Sequence, residues 1–349
     1  MREFRLSFIV TFVCVALAGW WGHTSGIGVW PALWLVLVLG VLEVSLSFDN
    51  AVVNAGVLRY MSEYWRQLFL TVGILIAVFG MRLVFPILIV SVATGSGWGE
   101  VMQMALRQPD AYAAVLTESY PQIAAFGGMF LLLVFLSFIF DTDREHYWLE
   151  PLERLLARIG KADAAAVIVA ISVLLSTKFF VPEEIFGPVL LSGMCGILLF
   201  LAVDSIDAFF DAGNEDGGAS SIAKRSGIAA FLYLEVLDAS FSFDGVIGAF
   251  AITRDVIIIM LGLAIGAMFV RSMTVYLVNR GTLEQFIFLE HGAHYAIGAL
   301  SVIMIIGIVH HTPEVITGLI GVCFIAASVW SSIRHRRRQV ATEVGISSE

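Results

Sequence analysis

Leu42-Glu43-Val44-Ser45-Leu46-Ser47-Phe48-Asp49-Asn50 returns 195 residues later as Leu237-Asp238-Ala239-Ser240-Phe241-Ser242-Phe243-Asp244-Gly245. Ser-Phe-Asp is identical in both stretches, and each keeps an acid six positions before its aspartate. Similarity at a long fixed offset marks an internal repeat. Both copies lie inside long apolar runs, and the next apolar run after each holds one arginine, Arg82 and then Arg271.

The chain around these copies has 349 residues, of which 59% are hydrophobic and 14% charged, with a mean hydropathy of +0.89. Soluble domains carry about a quarter charged residues, so this composition excludes a soluble fold and, still more firmly, disorder. A bilayer-spanning helix needs about 20 apolar residues. Ten segments qualify, roughly 6–22, 31–58, 67–94, 122–141, 163–180, 185–206, 227–252, 256–279, 292–309 and 314–333. The predicted fold is an all-α polytopic membrane bundle. Five spans separate the two copies, so they cross in opposite directions, as two inverted five-helix repeats. The first repeat covers 1–180, the second 181–335, and 336–349 form a basic and polar tail.

With the N-terminus placed in the cytoplasm, 15 of the 20 basic residues collect on that side and only Arg107, Lys178 and Arg254 on the other. Both termini are therefore expected in the cytoplasm, with a bacterial inner membrane as the location. Arg2, Arg5 and Ala16-Leu17-Ala18 also suit a cleaved signal, but Gly19-Trp20-Trp21 continues the run and favours an uncleaved span with an interfacial anchor. Residues 141–161 carry Trp148, Leu152, Leu155, Leu156 and Ile159 at helical spacing, which fits a helix on the cytoplasmic surface or, equally, a packed connector. Residues 211–220 read as a linker without the ligand order of a calcium loop. Arg334 to Arg338 read as a stop-transfer and headgroup anchor. Cys14, Cys195 and Cys323 have no metal or disulfide spacing and are expected as buried small hydrophobes. The surplus of 29 acidic over 20 basic residues speaks against nucleic acid.

Seven carboxylates fall within or at the ends of spans: Glu43, Asp49, Asp204, Asp207, Glu235, Asp238 and Asp244. At about 3 kcal/mol each they would be costly facing lipid, so they must face one another, a cation, water or Arg82 and Arg271. On a straight helix Glu43 and Asp49 are about 120° apart, so either the motif helices are locally unwound or the acids line an arc. Ser45 and Asp49, like Ser240 and Asp244, are four apart and spaced to touch the same ion or each other. Carboxylates, the Asn50 amide and the Ser47 and Ser242 hydroxyls are hard oxygen donors, suited to magnesium, calcium or manganese. The site expected is Glu43, Asp49, Asn50, Asp238, Asp244, Ser47 and Ser242, with Arg82, Arg271 and Glu235 as supporting charge. Asp204 and Asp207, with Asp211, form an inner mouth or merely a solvated helix end. His23, His310 and His311 fall in external loops, and His291 and His294 are expected at the interface rather than as ligands.

At these residues the sequence resembles the TerC family of membrane proteins. That family's first motif, Glu-x-x-Leu-Ser-x-Asp-Asn, is met by Glu43, Leu46, Ser47, Asp49 and Asn50. Its second half is followed by Glu235 to Asp238, Phe243-Asp244, Phe250 to Asp255 and the Arg271 helix. The resemblance covers about residues 32–90 and 227–305. It departs at Gly245, where many members carry Ser, and in the larger ten-span layout. It implies divalent metal handling, with manganese export foremost, manganese being substrate and calcium or magnesium left open. It also implies older links to tellurium resistance, to supplying metal to exported proteins without transport, and to LysE-type exporters of organic or oxyanion solutes. No organic cofactor is expected. The partners are the bilayer and the cation, with a homo-oligomer left open. An enzyme is not expected: an intramembrane aspartyl protease would need Tyr-Asp and Gly-x-Gly-Asp contexts, which Phe48-Asp49-Asn50 and Phe243-Asp244-Gly245 do not supply.

Overall fold

In lipid every backbone N–H and C=O must find a partner within the chain, which a helix achieves locally. The computed structural model describes residues 3–141, 144, 146–160, 164–211, 227–310 and 312–346, and these hold helices and no strand. The side chains of 159, 207–211, 243, 244, 314, 315 and 339–346 lie outside this description.

Helices α1 (Arg5–Thr24) and α2 (Val29–Leu46) form a hairpin closed by Gly26 and Gly28, whose φ of 82° and 97° disfavour any residue with a Cβ. Ser47, at φ −103° and ψ 17°, leaves the helix, and α3 (Phe48–Leu58) begins after it. The single span expected over 31–58 is therefore two helices broken inside the first motif. α4 (Glu63–Leu68) opens a continuous apolar rod that ends with α5 (Phe85–Thr94), and two π-helical stretches, Phe69–Gly73 and Ile76–Val84, lie between them. Two short helices that hydropathy did not signal, α6 (Trp98–Arg107) and α7 (Pro109–Glu118), lead into α8 (Tyr120–Phe140). Then follow α9 (Glu150–Ile159), α10 (Ala165–Ser176) with a 3-10 turn Thr177–Phe179, α11 (Glu183–Asp211), α12 (Gly227–Ile252) and α13 (Val256–Asn279). α14 (Thr282–Gln285), α15 (Leu289–Gly307) and α16 (Glu314–Ile346) complete the chain.

Among the described residues, eight helices are long and apolar enough to cross a membrane. The chain is thus an all-helical integral membrane protein whose apolar helices meet the bilayer. Of the ten segments expected, 163–180 is the shorter apolar stretch Ala165–Phe179. Segment 227–252 is the 26-residue α12, long enough at about 39 Å but carrying Glu235, Asp238 and Asp244.

α8 is the central helix, packed by α11 and α15, and α2 lies along α13 with α1 against both. Small residues let α2 and α13 approach closely: a Cβ on Gly40 would sit 3.1 Å from Ile265. α1 is tied to α13 at both ends. Ser7 Oγ donates to the Met268 carbonyl at 2.7 Å, and Trp21 Nε1 donates to Asp255 Oδ2 at 2.8 Å. Cys14 is buried as expected, but Cys195 and Cys323 are exposed on the outside of the bundle. The reason is that an apolar residue in a membrane helix is as well solvated by lipid as by the core.

Candidate functional site

The break at Ser47 brings the first motif to the second. It turns α3 relative to α2, and Asn50, in the first turn of α3, donates from Nδ2 to Asp238 Oδ1 of α12 at 2.7 Å. The two copies thus meet through residues 188 apart. Glu43, one turn before the break, keeps its carboxylate on the same polar layer: Oε1 accepts from Ser47 Oγ at 3.2 Å and pairs with Arg82 Nη2. Asp49 sits in the first turn of α3, where the helix dipole favours an anion, and its Oδ1 accepts from the Asn50 N–H at 3.0 Å. The second motif does not unwind, for α12 runs unbroken through it. The local unwinding expected of the motif helices is therefore present in the first copy and absent from the second.

The two arginines behave differently. Arg82 is the expected counter-charge, fully buried against Glu43 and also donating from Nη1 to the Ala77 carbonyl at 2.5 Å. Arg271 meets no carboxylate within 4.0 Å among the described residues; its Nη2 donates to the Leu70 carbonyl at 2.5 Å. Leu70 and Ala77 both lie in the π-helical stretches, where the wider hydrogen-bond ring perturbs the backbone ladder and offers carbonyls to a side chain.

Between these groups lies a cavity of about 40 Å³ lined by Ser47, Asn54, Arg82, Glu235, Asp238 and Arg271 among others. Asn54 Oδ1, Glu235 Oε1 and Asp238 Oδ2 are buried on it without a hydrogen-bond partner, as are Nε of Arg82 and of Arg271. A buried polar atom without a partner is costly, so such a group of them calls for water or an ion. At about 10–15 Å³ per water the cavity takes roughly three. Among the described residues no three His, Cys, Asp or Glu side chains are grouped as a ready-made metal cluster.

The remaining candidates divide. Ser242 is buried with a partnerless Oγ. Ser45 is exposed and donates to the Val41 carbonyl, and the buried Ser240 donates to the Val236 carbonyl, so each hydroxyl proton goes to its own preceding turn. A hydroxyl in a helix reaches its own preceding turn more readily than a distant ligand. Asp244 lies on α12 with its side chain outside the description, as do the side chains of Asp207 and Asp211 at the end of α11; Asp204 is exposed. Residues 212–220 of the linker and His311 lie outside the described residues.

His291 and His294, at the start of α15, are buried within the bundle. His294 stacks on Phe138 at 3.8 Å between ring centres, and His291 Nε2 lies 3.6 Å from Glu153 Oε2. Glu153 forms a second buried polar cluster that sequence reasoning missed. It accepts from the Leu149 N–H at 3.1 Å and from Tyr295 Oη at 3.1 Å, and lies 3.5 Å from Arg144. Residues 150–159 are thus a docked connector, held by Glu153 and Ala157 one turn on, while Leu152 and Leu155 stay exposed. The signal was an acid placed on the same helix face as an alanine.

Residues 48–339 match the family described as "Protein of unknown function (DUF475)". No curated protein and no solved structure matches the chain.

Proposed function

The chain belongs to the DUF475 family, whose function is unknown, so its activity has to be argued from its site, and we propose that it is a divalent cation transporter, with manganese the leading ion and export the direction. The observation that carries this reading is the small cavity where the two motifs meet, on which Asn54, Glu235 and Asp238 each present a buried oxygen without a partner. Glu43, Glu235 and Asp238 stand in this layer with Arg82 and Arg271. If all are ionised, acids outnumber bases there by one, which favours a cation. Hard oxygen donors suit manganese, magnesium or calcium, and Glu43, Asp49, Asn50, Asp238, Asp244, Ser47 and Ser242 are the proposed ligand set. A cavity of about 40 Å³ is also far below the few hundred Å³ of small-molecule sites, which speaks for an inorganic ion over an organic solute. Export and the choice of manganese come from the TerC resemblance.

The proposal includes ten crossings in two inverted repeats, with both termini in the cytoplasm of an inner-membrane protein. Contacts between helix ends support it. Ser272 Oγ donates to the Glu3 carbonyl, and Arg59 pairs with Glu290, all on the expected cytoplasmic face, whereas Trp21 meets Asp255 on the other.

Flux of manganese in proteoliposomes tests the function. Asp238→Asn, Asp49→Asn and Asp244→Asn should each cut it by at least about tenfold. Normal flux through Asp238→Asn removes the joined motifs from the site. Binding of manganese by the wild type without flux supports instead a partner that hands metal to exported proteins.

A further inference from the structure

Glu43 is held in a notch built by two glycines of the second repeat. A Cβ on Gly266 of α13 would overlap the Glu43 Cβ and Cγ, and a Cβ on Gly245 of α12 would lie 2.7 Å from Glu43 Oε2. Real Cβ atoms do not approach an oxygen so closely, so the carboxylate occupies the room that a side chain at 245 would take. Its stem has nowhere to retreat, because the Gly266 backbone lies behind it and Arg82 and Ser47 hold Oε1. Oε2 is therefore the oxygen laid against α12, beside the second motif.

We propose that Gly245 is a positioning residue that sets the ion preference of the site: by lacking a side chain it lets the first-repeat Glu43 place Oε2 among the ligands of the second motif. This rests on the cation reading above. A carboxylate oxygen at that place contributes charge and a short bond. Any side chain at 245 pushes Oε2 outward by several tenths of an ångström. A lengthened site disfavours a small ion with a tight shell more than calcium, whose shell is longer and looser.

The test is binding of manganese and of calcium to purified full-length protein in detergent, for wild type, Gly245→Ala, Glu43→Asp and the double variant. Gly245→Ala should lower manganese affinity about tenfold and move the manganese-to-calcium ratio toward calcium, the size of effect usual for groups that orient a ligand. A structural role alone would lower thermal stability and leave that ratio in place. Glu43→Asp withdraws the carboxylate by one methylene, so in that background the added methyl is neutral or favourable for manganese. If Gly245→Ala is not recovered folded, the double variant against Glu43→Asp carries the comparison, and a loss of affinity there overturns the proposal. An unchanged ratio in folded Gly245→Ala, or equal losses in both backgrounds, overturns it alone. A wild type that binds neither ion overturns the cation reading as well.

Discussion

The side chains of Glu43 and Arg82 are 1% and 3% exposed, so neither charge has water to fall back on. Removing one leaves the other buried and unpaired, at a cost of about 3–5 kcal/mol. Glu43→Gln and Arg82→Met should each lower the thermal stability of the detergent-solubilised protein sharply, and the double variant should be no worse than either. Additive losses would mean that the pair is not one unit. Arg271→Met should be milder, since Arg271 gives its hydrogen bond to the Leu70 carbonyl and its loss strands no carboxylate among the described residues. A Met variant at 271 as damaged as that at 82 would place an acid against Arg271. These charges were legible in the sequence because a charge inside an apolar run has to be matched. Which group matches it was not, as Arg271 shows by choosing a carbonyl. The exposure of Ser45 and the burial of the two histidines were not legible either: spacing along a helix says which face a residue shares, but not whether that face looks inward.

At the scale of elements, the rod from Glu63 to Thr94 depends on its π-helical stretches, which place the Leu70 and Ala77 carbonyls within reach of the two arginines. Glu235 fits against Gly73 in the first stretch so closely that a Cβ there would overlap Oε1, whereas a Cβ on Gly80 in the second would meet Ile76 at an ordinary 3.4 Å. Gly73→Ala should therefore destabilise by about 1–3 kcal/mol through overpacking. Gly80→Ala should leave stability near that of wild type, as read by melting in detergent. The reverse order would show that Glu235 does not occupy the Gly73 notch. Hydropathy located the long helices because lipid demands length and apolarity of each. It was blind to the π-helical stretches, since Ile76 to Val84 read as ordinary apolar helix except for Arg82. It was blind to the break as well, because Ser47 is compatible with an unbroken helix and leaves it only where Asn50 finds Asp238. α6 and α7 went unseen because each is 10 residues long, half of what a span needs.

For the whole molecule the open question is whether Ala165–Phe179 and α12 cross. If neither did, eight crossings would remain, both ends of α12 would lie on one face, and residues near Glu184 would lie in the cytoplasm. The contacts of α12 argue otherwise. Its start packs against Trp65, next to the basic residues Arg59 and Arg66, while Phe250 near its end meets Tyr112 of α7, ring centres 5.9 Å apart. Thr253 and Asp255 continue to Trp21 at the far end of α1, whose start lies by Ser272. α12 therefore runs from the face of Trp65 to the face of Trp21. With α11 crossing as well, the chain crosses twice between 183 and 252, so residue 183 lies on the face of Trp21; α8 ends beside His294 and Glu290 on the face of Trp65, so Ala165–Phe179 has to change sides too. Single cysteines at Glu63, Gln285, Glu100 and Glu184, in a background lacking Cys14, Cys195 and Cys323, test this with a membrane-impermeant maleimide on intact cells. Glu100→Cys and Glu184→Cys should be labelled from outside, and Glu63→Cys and Gln285→Cys only after permeabilisation. Position 184 decides between the layouts: protection there, with Glu100→Cys labelled, would leave eight crossings and end the inverted repeat.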